Sequence, residues 1–101
     1  MRIIVLFDLP VITADERREY VRFRKHLIKS GFVMMQQSVY SKLVLNTTAA
    51  NAIIENCRKN KPRTGLVQIL AITEKQFSRI EFLVGERSTE IIDNDKRLIV
   101  L

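Results

Sequence analysis

The opening of the chain constrains its fold more than any other stretch. Arg2-Ile-Ile-Val-Leu-Phe-Asp8 is an unbroken apolar run set between charges. It is too short for a helix and rich in β-branched side chains, the pattern of a strand buried on both faces. Such a strand belongs at the centre of a sheet. Pro10 ends it, and Thr13-Ala-Asp-Glu16 is a capping box in which the Thr13 hydroxyl accepts from an early backbone amide while Glu16 reaches back. A helix is predicted from there to Lys29, stopped by Ser30-Gly31, with Lys29 against the negative end of the helix dipole.

Rotation by about 100° per residue puts Tyr20, Phe23 and Leu27 on one face of that helix, with Ile28 at its edge, and this face packs on the sheet. The same rotation collects Arg18, Arg22, Lys25 and Lys29 into a stripe on the opposite face. The next β-rich stretch is interrupted by Gln36-Gln37-Ser38, which predicts strands over 32–36 and 39–45 with a bend or tight turn between them. Asn46-Thr47-Thr48 can cap a second helix whose apolar stripe is Ala50, Ile53, Ile54 and Cys57, ended by Asn60-Lys61-Pro62. Leu66 to Thr73 reads as a buried strand, Glu74 to Ser78 as a polar connector, and Ile80 to Val84 as a half-exposed strand closed by Gly85. Glu86 to Arg97 is polar, and Leu98-Ile99-Val100-Leu101 is an apolar end that should not be left in water.

The order predicts an α+β chain: a ferredoxin-like βαββαβ unit over 1–85, with an antiparallel sheet, two helices on one face and an extra C-terminal strand within 86–101. Helices on one face leave the other open although its strands carry apolar residues, so a homodimer packed sheet to sheet is expected. A chain of 101 residues makes one domain, and 47% hydrophobic with 28% charged residues is an ordinary globular composition. No apolar run reaches the ~20 residues that span a bilayer. Met1-Arg2-Ile3-Ile4 leads into a strand rather than a signal peptide, so a cytoplasmic protein is expected.

Cys57 is the only cysteine and His26 the only histidine, which excludes an internal disulfide and a zinc site of Cys and His ligands, and with no obvious Ser or Cys nucleophile triad chemistry has no support. His26 is expected on the helix surface. The balance of 17 Lys and Arg against 11 Asp and Glu, giving +6 and a pI near 9.9, is the footprint of a partner for polyphosphates if the charge is organised. The Arg18, Arg22, Lys25, Lys29 stripe is the candidate phosphate face, although a solvated helix face with paired charges has the same periodicity. Arg17 and Arg24 lie nearer the apolar face, where an Arg stem can pack while its guanidinium reaches an interface or a phosphate. Arg58-Lys59-Asn60-Lys61-Pro62-Arg63 is a second basic cluster of the kind most often simply solvated. Asp8 is the conspicuous acid: beside the sheet centre a carboxylate is costly unless it caps a turn, pairs with an Arg or binds a metal. A hard cation such as Mg²⁺ wants six oxygen ligands, so one carboxylate needs a symmetry mate or substrate phosphates beside it.

In order and spacing, several segments together resemble the CRISPR-associated proteins of the second core type, partners of the CRISPR integrase, in the form that accompanies Cas9-type effectors. The carriers are Ile3 to Pro10, the Arg-rich first helix ending Leu27-Ile-Lys-Ser-Gly31-Phe32, Gln37-Ser38-Val39-Tyr40-Ser41-Lys42, Thr73-Glu-Lys-Gln-Phe77, Gly85-Glu-Arg87 and Asp93-Asn-Asp95-Lys-Arg97-Leu98. The resemblance implies a two-fold dimer in which Leu98, Ile99, Val100 and Leu101 pair with the partner protomer or dock the integrase. It implies that Asp8 of each protomer shares a divalent cation, Mg²⁺, in an endonuclease acting on RNA or duplex DNA. It also implies a role in spacer acquisition as an adaptor that bridges two integrase dimers and holds a duplex prespacer through its backbone. Arg17, Arg18, Lys42 and Arg87 would then be phosphate contacts, beside Arg22 and Lys25 from the stripe. A toxin-type messenger-RNA nuclease is a further reading of a small basic domain of this shape, because fold does not fix function. Steep salt dependence distinguishes the adaptor, loss of cleavage with chelator the nuclease, and preference for single-stranded RNA the toxin.

Overall fold

The computed structural model describes residues 1–86. Its elements run β1 (Arg2–Asp8), α1 (Ala14–Lys29), β2 (Val33–Gln36), β3 (Val39–Leu43), α2 (Thr47–Lys59), β4 (Leu66–Ile72) and α3 (Glu74–Ser78). The strands form one antiparallel sheet in the order β2-β3-β1-β4, the arrangement of a ferredoxin-like unit, with β1 at its interior. The expected extra C-terminal strand lies outside the described residues.

Alternation along β1 sorts the core. Ile3, Val5 and Phe7 point to the side covered by both long helices, where they pack with Phe23 and Leu27 of α1 and Ala50 and Cys57 of α2. Phe7 meets Phe23 edge to face at 5.4 Å and stacks on Tyr40 at 5.7 Å. Each fully buried side chain of this size contributes about 1.5–3 kcal/mol. Ile28 does not join this face; it is exposed, about 100° round the helix from the fully buried Leu27. Both predicted caps form: Thr13 accepts from the Glu16 amide while Glu16 accepts from the Thr13 amide, and Asn46 accepts from Ala49. The expected tight turn is Gln37-Ser38, where Ser38 takes φ 65° and the β2–β3 register shifts between Met34 and Gln36.

The second face carries Arg2, Ile4, Leu6 and Asp8, with Leu66 and Leu70 of β4, Leu43 of β3 and Val33 of β2 in register beside them. Those last four are 47–56% exposed. The strand over 66–73 is therefore not buried, as its apolar composition suggested; it is an edge strand with one uncovered face. Ile4 is nonetheless buried.

Two expectations fail after β4. Glu74–Ser78 is a helical turn rather than a connector, started by a second capping box in which Thr73 and Gln76 exchange hydrogen bonds. Arg2 fastens it, with its guanidinium 4.1 Å over the Phe77 ring and bonded to both Glu74 carboxylate oxygens at 3.0 and 2.8 Å. Ile80 to Val84 then forms no strand in the described structure. Alternation alone does not make a strand; its amides need a partner edge, and α3 turns the chain out of the sheet after Ile72.

Candidate nucleic-acid interface and the Asp8 carboxylate

Asp8 ends β1 on the uncovered face, opposite Leu66 of β4, and is exposed. Among the described residues its carboxylate has no hydrogen bond or ion pair, so neither turn capping nor an Arg partner accounts for it there. Behind it, Gly65 at φ +97° brings its Cα so close that a Cβ would stand 2.9 Å from the Asp8 carbonyl oxygen. The described residues contain no cluster of three or more metal-ligating side chains. One chain thus offers a hard cation a single carboxylate and does not by itself fit one.

The α1 stripe is real and partly spent. Arg18, Arg22 and Lys25 line one shallow depression with Asp15, Glu19, Val21 and, from the loop before β4, Arg63. Arg18 pairs with Asp15, both side chains 72% exposed. Such exposed pairs are worth about 0–1 kcal/mol and give way to a better partner. Arg22 is held more firmly: its guanidinium donates to both Glu19 oxygens at 3.3 Å and to the Lys61 carbonyl at 3.2 Å. These bonds hold the Glu19 carboxyl below the usual carboxylate range, against the opposing effect of its partial burial, with the Arg63 amide adding to them. Lys25 has no charged partner among the described residues. Lys29 follows on the same stripe without lining the depression.

Comparison with known proteins bears on what this arrangement serves. The family model "CRISPR associated protein Cas2" matches residues 1–80. The chain belongs to that family. It is 56% identical over 101 residues to the "CRISPR-associated endoribonuclease Cas2" of Treponema denticola, covering both chains completely. A protein of the same name from Streptococcus mutans UA159 is 50% identical over all of this chain and 93% of its own. Another from Ligilactobacillus salivarius is 42% identical over the whole of both.

The residues singled out by family likeness fall into different environments. Arg17 is exposed, with its guanidinium already engaged by backbone. Its guanidinium donates to the carbonyls of Val11 and Ile12 at 3.2 and 2.8 Å and braces the loop between β1 and α1. Lys42 lies at the other end of the sheet from Asp8, its Nζ folded over Gly31 just beyond α1, where a cation faces the negative end of the helix dipole. Arg24 donates to the Tyr40 hydroxyl at 3.1 Å. His26 is half-buried rather than on the open surface; its buried Nε2 has no hydrogen-bond partner among the described residues, and burial, then the nearby Arg22 charge, lower its pKa. Arg87 and the Leu98, Ile99, Val100, Leu101 tail lie outside the described residues. Sequence reasoning missed Glu19 as an organising residue, although its i,i+3 spacing to Arg22 was visible. It also missed the Arg2, Glu74, Phe77 clasp, which joins residues more than seventy positions apart and left no local signal.

Proposed function

We propose that this chain acts in CRISPR spacer acquisition as a dimeric, sequence-independent clamp on duplex DNA that bridges two integrase dimers. The observation that carries this reading is the line of cations on α1. Arg18 to Lys29 spans about 16 Å of helix at 1.5 Å per residue. Over that length a duplex carries about ten backbone charges at one per ~1.7 Å. Such a line tracks backbone phosphates without reaching base edges, so it fixes position and length rather than sequence. A second copy packed on the uncovered sheet face would cover Leu43, Leu66 and Leu70 and double the row of cations.

A second reading is favoured by Asp8 and by the relatives' printed name. The same face-to-face dimer would bring two Asp8 carboxylates toward each other at the sheet ends, giving the acidic pair that one chain lacks. A Mg²⁺ ion held there would neutralise charge on a scissile phosphate of RNA or DNA. The two readings share the dimer and differ in whether Asp8 matters. Titrating a labelled duplex of about three helical turns in Mg²⁺, with and without the integrase, reads binding and cleavage on one gel. An intact shift that survives Asp8→Ala supports the clamp. Cleavage of RNA or duplex by the protein alone, abolished by Asp8→Ala, supports the nuclease. Failure of any duplex to shift under either condition refutes the clamp.

A further inference from the structure

We propose that Arg63 completes a phosphate-binding site with Arg18, Arg22 and Lys25, and that Glu19 is the positioning residue that brings it there. This rests on the clamp reading and adds a contact from outside α1. In the sequence, Arg63 belongs to a basic loop with the composition of solvated surface. The fold treats that loop differently. Consecutive residues are each fixed against the rest of the protein: the Lys61 carbonyl accepts from Arg22 at 3.2 Å, Pro62 is buried, and the Arg63 amide donates to Glu19 at 3.3 Å. Pro62 also has its φ locked by the ring. Loops that merely carry charge in solvent have no need of such anchoring.

The anchoring leaves the Arg63 guanidinium only loosely held, in a long and exposed ion pair with Glu19. Its Nε stays 3.9 Å from Glu19, its side chain is 76% exposed, and it is the one described lining residue of the depression that comes from outside α1. Four cations face two carboxylates there, and Glu19 has both oxygens engaged by Arg22 and the Arg63 backbone. The charge left for an incoming anion is that of Lys25 and Arg63, with Arg18 available once a phosphate displaces Asp15. A guanidinium and an ammonium converging from two elements hold a phosphate better than one helix face, because they bind it from more than one direction.

The test uses the full chain with the integrase and a labelled random-sequence duplex, in a salt titration of Arg63→Ala, Lys25→Ala, Glu19→Ala, Glu19→Gln and the double variant Glu19→Ala/Arg63→Ala. Each lost phosphate contact lowers the slope of log K against log salt by about 0.9, and Arg63→Ala is expected to do so as Lys25→Ala does. Glu19→Gln, which keeps an acceptor for the Arg63 amide, retains the wild-type slope, and in the Glu19→Ala background removing Arg63 has little further effect. An unchanged slope in Arg63→Ala while Lys25→Ala lowers it overturns the Arg63 contact and leaves the clamp standing. An equal effect of Arg63→Ala with and without Glu19 overturns the positioning role. No duplex binding by wild type overturns the clamp, and this site with it.

Discussion

Gly31 and Gly65 offer a matched test of how the fold holds Asp8 in place. They have nearly the same backbone, φ +96° and +97°, which L side chains rarely adopt. Alanine at either therefore carries a similar strain of about 1–2 kcal/mol, offset in part by about 0.4–1 kcal/mol from the stiffened unfolded chain. They differ in what a Cβ would meet. At Gly31 it meets the Lys42 Nζ at 2.5 Å, the tip of a flexible side chain that can swing away. At Gly65 it meets the Asp8 carbonyl oxygen at 2.9 Å, with Leu9 Cδ2 at 2.7 Å and Leu9 Cα at 3.2 Å, and backbone in a paired strand end cannot move without breaking its ladder. Overpacking of that kind adds about 1–3 kcal/mol. Gly65→Ala should thus be less stable than Gly31→Ala by about 2 kcal/mol, a difference of about 8–16 °C in Tm for a domain this small. Urea unfolding at one fixed protein concentration, so that any dimer contributes equally, reads the difference. Equal destabilisation of the two variants would refute the argument, since it would mean that the close approach to Asp8 constrains nothing.

Other consequences follow from single sites. Asp8→Asn should leave the unfolding free energy from urea denaturation within about 0.5 kcal/mol of wild type, because the carboxylate has no partner among the described residues; a larger loss would reveal an ion pair supplied from elsewhere. Thr13→Ala removes the side-chain acceptor of the α1 capping box and should cost about 1 kcal/mol, while Thr13→Ser should restore most of it in the same assay. His26 has a folded pKa below its ordinary value, so the unfolded chain binds its proton more readily. Its contribution to stability is fully present above pH ~6.5 and is lost as pH falls through the lower folded value. His26→Gln should flatten that part of the stability profile. Glu74, held below its usual range chiefly by the Arg2 hydrogen bonds, contributes above the ordinary carboxylate pKa and loses that contribution as pH falls through its folded value. Glu74→Gln should therefore flatten the acid limb, and an unaltered limb would show that the Arg2–Glu74 ion pair contributes nothing.

Local chemistry decided what the sequence could determine alone. The β1 run, both long helices with their caps at Thr13 and Asn46, the hairpin at Gln37-Ser38 and the α1 cation stripe are all set by patterns within a few residues. They were legible because periodicity and capping act at that range. The α3 capping box, Thr73 to Gln76, was equally local and equally readable, but five residues of helix were hidden in what looked like a polar connector. The tertiary structure decided what those elements are used for. Whether an arginine meets solvent, a carbonyl or a carboxylate depends on which loop folds against it. Arg17 was thus drawn to Val11 and Ile12, Arg2 to Glu74 and Phe77, and Arg63 to the α1 stripe. Strand formation at Ile80 to Val84 depended in the same way on an edge to pair with, and alternation in the sequence carries no information about whether that edge is within reach.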